Sequence, residues 1–339
     1  MNLSRRRSLA GLAALAATAA WRPLRAAHDD VIRLNVPGPL LMPFFPLELI
    51  PVLGIDRELG ARVAIRYFPS GVLAAEDMLL GNADFCGIAM PIFPRVIARS
   101  GEMRAFAVLA GGTPSYALIV RKALAGKITS VAKMRGYSIG VHVGSAANKT
   151  LMNLMAEQWA ARHGIKNEDV RWTPIAQNFE GVSGALAGEV VDAVFCEEPV
   201  ATSVVRAGLG VRLAGSDDAK NPFFGPGQNH LRAVLAASPK VLEAQPEKAR
   251  IMVQMLRRSL KWVREASPRA KVPERLGIVD PAMRKDIAQV LDRLPNYFSR
   301  DARFSATDVE ATRAFMRAAG IEMADGRDVA ALIEQRWVK

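Results

Sequence analysis

Cysteine is nearly absent from this 339-residue chain, which holds only Cys86 and Cys196. Two thiols so far apart cannot form the disulfide framework that holds a small secreted domain together. Each ends an apolar, strand-like run, so a small buried apolar residue is expected at both positions, while an oxidising compartment would permit a bridge. Histidine is also scarce: His28, His142, His163 and His230 are scattered without metal-ligand spacing. The sequence contains no Gly-x-Ser-x-Gly, no His-Glu-x-x-His and no Walker-type loop, which removes the commonest hydrolase, zinc-protease and nucleotide-binding signatures. No apolar run reaches the ~20 residues of a membrane-spanning helix. Acidic residues are in deficit, 33 against 45 Lys and Arg, for a net charge of +12. The excess is dispersed and accompanies no nucleic-acid module, so no nucleic-acid partner is expected.

Part of that charge lies in the first 27 residues. Ser4-Arg5-Arg6-Arg7-Ser8-Leu9 is a basic region, the stretch from Leu9 to Trp21 is apolar, and Ala26-Ala27 is a small-residue exit. This is the pattern of an export signal, twin-arginine-like although Ser8 stands where that pattern has Phe; a general secretory signal fits as well. Removing its five arginines lowers the net charge to +7. The expected compartment is the periplasm.

Half of the chain is hydrophobic, enough to build more than one core. Periodicity predicts strands at 31–36, 62–68 and 84–88 with helices at 44–59 and 72–80 between them. Pro37-Gly38-Pro39, Pro69-Ser70-Gly71 and Gly81-Asn82 supply the turns. The same order recurs: strand 137–141, helix 146–163, strand 169–174, helix 179–186, strand 192–196. Leu79-Leu80-Gly81-Asn82-Ala83-Asp84-Phe85-Cys86 echoes the segment from Leu186 through Gly188 and Asp192 to Phe195-Cys196, and Arg66-Tyr67-Phe68-Pro69 echoes Arg171-Trp172-Thr173-Pro174. Two similar parallel βαβαβ units follow from this repetition. Segments 115–120 and 230–236 are expected to cross between the units as a two-strand hinge. Helices are predicted over 246–266, 281–294, 306–319 and 327–338, started by Pro246, Pro281 and the Ser305–Asp308 spacing, and packed on the first unit. The expected fold is therefore α/β and two-lobed, each lobe a mostly parallel sheet flanked by helices. Residues 28–117 and 233–339 would form lobe 1, and 118–232 lobe 2.

Ligands of such sheets bind at the carboxyl ends of the strands, here in an interdomain cleft. The candidate positions follow from the element map. Gly38 and Pro39 offer shape and apolar contact, because proline lacks a donor. Ser70 and Gly71 start a helix, and Ala89 and Met90 end the third strand. Gly112 and Thr113 precede the first crossing. Gly144, Ser145 and Ala146 follow a strand and open a helix whose free N–H groups favour a negative group, although Ser145 also suits a simple N-cap. Glu197 and Glu198 end the second unit's third strand; their side chains diverge, so one faces the cleft, while first-turn stabilisation of the next helix is the plainer role. His142 lies beside the Gly144 loop, where a lone histidine is as a rule structural. Phe44, Phe45, Trp172, Phe179, Phe223 and Phe224 are aromatics that could stack on a ring but fit core packing better.

Four stretches carry a family resemblance. Gly81-Asn82-Ala83-Asp84-Phe85 resembles a Gly-x-x-Asp strand entry. Lys133-Met134-Arg135-Gly136-Tyr137-Ser138-Ile139-Gly140-Val141, with Gly144-Ser145 following, is similar to a Leu-Lys-Gly-Lys-x-Ile-Gly-Val lobe start. Gly188-Glu189-Val190-Val191-Asp192-Ala193 resembles Gly-x-x-Asp-Ala, and Glu198-Pro199 an acid-Pro pair after the strand. Together, over essentially the whole chain after residue 27, they resemble the ABC-transporter substrate-binding proteins of the nitrate/sulfonate/taurine/thiamine-precursor group. The resemblance implies a type II periplasmic-binding-protein fold without cofactor, metal or catalysis, acting as a monomer that delivers a small solute to a membrane permease; it does not choose the ligand, and it is the exposed helix start at Gly144-Ser145 that leads us to expect an anionic or zwitterionic one. The Pro37–Pro46 loop, with four prolines and two phenylalanines, departs from the family's polar loop. Two alternatives stay open. One is an enzyme on the same fold, of the pyrimidine-precursor synthase or menaquinone-pathway lyase type, although the Cys-rich motif of the synthase branch is missing. The other is an extracytoplasmic sensor or the receptor of another transporter class.

Overall fold

The computed structural model describes residues 31–111, 115–145, 148–216 and 230–339. The segment predicted as an export signal, together with Gly112, Thr113, Ala146, Phe223 and Phe224, lies outside the described residues. Ten strands form two five-stranded sheets. Strands β1 (Val31–Pro37), β2 (Arg62–Phe68), β3 (Phe85–Ile88), β4 (Arg104–Ala110) and β10 (Ala233–Ala237) build the first, in the order β2-β1-β3-β10-β4. Strands β5 (Tyr116–Arg121), β6 (Ser138–His142), β7 (Arg171–Ile175), β8 (Ala193–Glu197) and β9 (Gly210–Gly215) build the second, in the order β7-β6-β8-β5-β9. The two orders are one topology used twice: three parallel strands, then a strand that pairs antiparallel on both sides, then an edge strand. This is the two-lobed type II architecture. As expected each sheet is mostly parallel: four strands run one way, and β10 in the first sheet or β5 in the second runs against both neighbours. Both of these strands, with β3 and β8, are buried almost throughout, which is why they read as unbroken apolar runs.

The duplicated Gly-x-x-Asp segment has a shared physical task. Asp84 accepts the backbone N–H of Arg33 at 2.8 Å, and its own N–H donates to the Arg33 carbonyl. Asp192 repeats both bonds with Ser138, at 2.9 and 3.2 Å. Each aspartate thus ties the entry of the third strand to the first strand, a stronger requirement than turn tolerance alone. The ladders also correct the finer matching. Leu34 pairs with Ile65 and Phe85, whereas Ile139 pairs with Trp172 and Ala193. Arg66–Pro69 and Arg171–Pro174 are therefore two positions out of register, as are the two Phe-Cys pairs.

Three predicted helices differ. The helix expected over 44–59 is broken into Phe45–Val52 and Ile55–Glu58, because Gly54 sits between them in the left-handed region at φ 74°. The helix expected from residue 146 starts at Leu151, where Thr150 accepts the Asn153 N–H and the Asn153 side chain answers in a capping box. The segment expected as a helix over 327–338 is a single 3-10 turn, Val329–Leu332, after which Ile333 bridges to Ala105 beside β4. The long helix Pro246–Glu265 buries Ala249, Met252, Val253, Leu256, Leu260 and Val263, a stripe of helical period. It packs on the first lobe against Phe45–Val52 and β4. Helix Pro281–Arg293 reaches further and also touches Val200–Arg206 of the second lobe. Cys86 and Cys196 are free and fully buried in different sheets. Among the described residues, no helix is long and apolar enough to cross a membrane.

Candidate functional site

The strand ends of the two sheets face each other across two adjoining cavities. The smaller, ≈60 Å³, is bordered by Phe44, Gly71, Val72, Ala89, Tyr116, His142, Thr150, Leu151, Met152, Glu197 and Arg232, among others. The larger, ≈310 Å³, is bordered by Gly38, Pro39, Leu41, Tyr67, Phe68, Pro69, His142, Ala176, Gln177 and Asn178. Leu41 and His142 border both, so the cavities are neighbours along one cleft.

Two helices begin at the smaller cavity from opposite sides. Gly71–Leu79 is capped by Ser70, whose hydroxyl accepts the Leu73 N–H, and Leu151–Arg162 is capped by Thr150. Gly71, Val72, Leu151 and Met152 are first-turn residues, whose N–H groups have no partner within their helices. Both positive dipole ends thus meet at one cavity. Phe44 reaches it because residue 87 is glycine: a Cβ there would lie 2.7 Å from the Phe44 ring.

Arg232, immediately before β10, is completely buried. It is ion-paired with Glu197 and donates to the Tyr297 hydroxyl at 2.9 Å. Its guanidinium lies 4.8 Å from the centre of the Tyr116 ring and 4.7 Å from that of Tyr297. Glu197 Oε1 also accepts from Tyr297 at 2.7 Å and from Ser115 at 3.2 Å. One oxygen of this carboxylate thus meets three donors, and the Arg232–Glu197 pair balances in charge. A buried pair of this kind is costly to break, ~3–5 kcal/mol when one partner is removed.

The halves are also joined directly. The His142 Nε2–H donates to the Pro69 carbonyl at 2.6 Å; the acceptor on the other side sets the tautomer. Burial lowers the His142 pKa to about 4, only partly offset by that bond, so the ring is neutral at pH 7. Ser145 Oγ and Asn148 Nδ2 both donate to Glu76 Oε1, at 2.9 and 2.8 Å. Asp286 accepts from Ser203 at 2.7 Å and Arg206 at 2.8 Å, and Arg293 meets Glu198 at 3.0 Å. The wall of the larger cavity is set by Glu48, which accepts the Leu40 N–H at 3.1 Å and the Tyr67 hydroxyl at 3.2 Å. Its burial outweighs those bonds and raises its pKa to about 7.

The candidates from the sequence are thus distributed. Gly71, Ala89 and Glu197 border the smaller cavity, and Gly38 and Pro39 the larger. Ser70 is a buried helix cap, and Met90 is buried with its N–H on the Leu231 carbonyl. Gly144 lets the loop close, since a Cβ there would lie 2.3 Å from the Asn148 carbonyl oxygen, and Ser145 spans to Glu76. Glu198 faces Arg293 and the Thr202 N–H rather than either cavity. Phe44 borders the smaller cavity and Phe45 is core. Sequence reasoning missed Arg232, Tyr116, Tyr297, Gln177 and Glu76. Only Arg232 had a signal, as a lone charge at the head of an apolar strand, where burial demands a partner.

Fold and cleft define a class: a type II periplasmic-binding-protein architecture with its cavities between the lobes. The NMT1-like family model matches residues 53–277, and the chain belongs to that family. A protein of Bordetella bronchiseptica RB50 is similar in structure with TM-score 0.77 and 24% identity, over 91% of this chain and 96% of its own. The alkanesulfonate-binding protein SsuA of Xanthomonas axonopodis pv. citri, bound to MOPS, gives TM-score 0.69 at 16% identity, over 90% and 98%. The periplasmic aliphatic sulphonate binding protein SsuA of Escherichia coli gives 0.62 at 15%, over 90% and 92%. A comparison with curated protein sequences found no match.

Proposed function

We propose that this chain is the exported, periplasmic solute-binding component of an ABC importer, a monomer that captures a small anionic or zwitterionic organic solute and presents it to a membrane permease. Sulfonates, taurine, nitrate-like anions and vitamin precursors form the candidate range. One observation carries the reading: two helix N-termini from opposite lobes converge on a single cavity, so an anion placed there gains from both only when the lobes are together. In this reading residues 28–117 and 233–339 move against 118–232 about the crossings that lead into β5 and β10, and residues 1–27 direct export.

The titratable groups nearby favour binding over catalysis. Glu197 is engaged by three donors and His142 is held neutral far below its ordinary pKa. Burial pushes both cysteine thiols up, away from the nucleophilic thiolate. Among the described residues, no cluster of His, Cys, Asp and Glu is arranged to hold a metal.

Calorimetry and thermal shift with ethanesulfonate, taurine, nitrate and neutral N-ethylacetamide test the reading. An anion or zwitterion should bind, and at a hundred times its Kd should stabilise the chain by ~2.7 kcal/mol. Heat with the neutral compound and none with any charged one would overturn it.

A further inference from the structure

Resting on the binding reading above, we infer that the larger cavity is a second subsite for a neutral group carrying both a hydrogen-bond donor and an acceptor, with Gln177 as its specificity-determining residue. The physiological solute is then bipartite, with an anionic head in the smaller cavity and an amide-like tail in the larger. Gln177 follows β7 and borders the ≈310 Å³ cavity, opposite Gly38, Pro39 and Phe68 of the other sheet. It is 5% exposed, although its chain neighbours Ala176 and Asn178 are exposed. Its carboxamide oxygen and nitrogen are both buried, and neither has a hydrogen-bond partner among the described residues. A doubly unpaired buried amide is rare in folded proteins, and a group that pairs both ends removes a desolvation cost that an apolar tail leaves in place.

Several other polar atoms on this wall are engaged within the protein. Tyr67 donates to Glu48, His142 Nε2 to the Pro69 carbonyl, and Asn178 Oδ1 caps Gly181 of the helix Phe179–Ala187. Among the described residues lining this cavity, Gln177 is the one whose side chain has buried polar atoms left unpaired, and we assign the discrimination to it. Because Leu41 and His142 border both cavities, the two adjoin, and a linear solute of a few bonds that occupies both has to pass these side chains.

Three matched probes separate head from tail. N-acetyltaurine has both the sulfonate and the amide, 1-pentanesulfonate keeps the length without the amide, and N-ethylacetamide keeps the amide without the sulfonate. Calorimetry on the full mature chain should find N-acetyltaurine tighter than 1-pentanesulfonate by about tenfold, a typical worth of a pairing that relieves a buried polar group. In Gln177→Met that preference should collapse to about one, with 1-pentanesulfonate binding at least as well as before. Independently, millimolar N-ethylacetamide should shift the Gln177 side-chain NH2 signals in a ¹⁵N-correlated NMR spectrum, assigned by their loss in the variant. If both sulfonates bind with a preference that Gln177→Met leaves unchanged, the subsite is overturned and the anion reading stands. If neither sulfonate binds while N-ethylacetamide moves the Gln177 signals, the anion head is overturned and the subsite stands. Silence from all three probes overturns both.

Discussion

Replacing His142 by glutamine, which keeps an N–H donor facing Pro69 but cannot take up a proton, isolates the titration of one buried ring. The pKa falls from 6.5 in the unfolded chain to about 4 in the fold, chiefly through burial. Between those values the unfolded chain binds the proton and the folded one does not, so stability is complete above pH 6.5 and is lost as pH falls toward 4. At about 1.4 kcal/mol for each unit of pKa, the full loss is about 3 kcal/mol. Glu48 acts in the opposite sense nearby: its pKa rises from 4.5 to about 7, so its contribution is complete below 4.5 and is lost as pH rises through 7. The two slopes partly cancel between pH 4.5 and 6.5, and the wild-type profile alone is uninformative. The useful quantity is the urea-unfolding stability of wild type minus that of His142→Gln, measured from pH 4 to 8. It should fall by about 3 kcal/mol from neutral pH to pH 4. Parallel profiles for the two proteins would refute a neutral, buried imidazole at this position.

The other perturbations address the walls of the cleft. Glu48→Gln should remove the alkaline loss, so that the variant gains up to about 3 kcal/mol on wild type at pH 8.5 but little at pH 4.5; equal unfolding midpoints at both pH values would contradict a raised carboxyl pKa. Arg232→Met leaves Glu197 buried without its counter-charge and should cost about 3–5 kcal/mol in denaturant unfolding, most of it regained in Arg232→Met/Glu197→Gln; a double variant no better than the single one would speak against the pair. Glu76→Ala removes two bonds that join the lobes and should weaken ligand affinity by about tenfold, mainly through faster dissociation in stopped-flow measurements; unchanged dissociation would exclude it from closure.

Sequence pattern carried far in the fold because its strongest elements are buried on both faces. Strands β3, β8 and β10 read as apolar runs, and the aspartates that enter β3 and β8 mark the duplication through bonds they make in both lobes. Local signals misled where a later contact outweighed them. Ala146-Ala147 suit a helix, but the Thr150–Asn153 capping box places the start at Leu151. Residues 327–338 alternate poorly for a strand, yet Ile333 and Glu334 bond beside Ala105 of β4. The polar cluster was harder to read. Tyr297 lies 65 positions from Arg232 and 100 from Glu197, and no local motif relates residues that only the tertiary fold brings together. Gln177 has no sequence signature at all; only the fold shows that it is buried with both amide atoms unpaired beside a cavity it shares with Gly38, Pro39 and Phe68 of the other sheet.

The chemistry of the cleft is built where the chain passes from one sheet to the other, at the starts of β5 and β10. Tyr116 opens β5 and pairs with Glu197 of β8, while Arg232 leads into β10 of the other sheet and forms an ion pair with that same glutamate. The cluster therefore spans the two sheets at their chain crossings, and Tyr297, from the segment that bridges to β4, completes it from the first-sheet side. A solute bordering Tyr116, Glu197 and Arg232 touches residues of both halves at once, so its affinity depends on the relative position of the halves rather than on either surface alone. Closure already has His142, Glu76 and Asp286 as cross-lobe acceptor or donor contacts, each worth ~1 kcal/mol net. On the proposed binding reading, a ligand would need to supply only the remaining difference between an open and a closed state, and the two helix N-termini offer N–H groups for it.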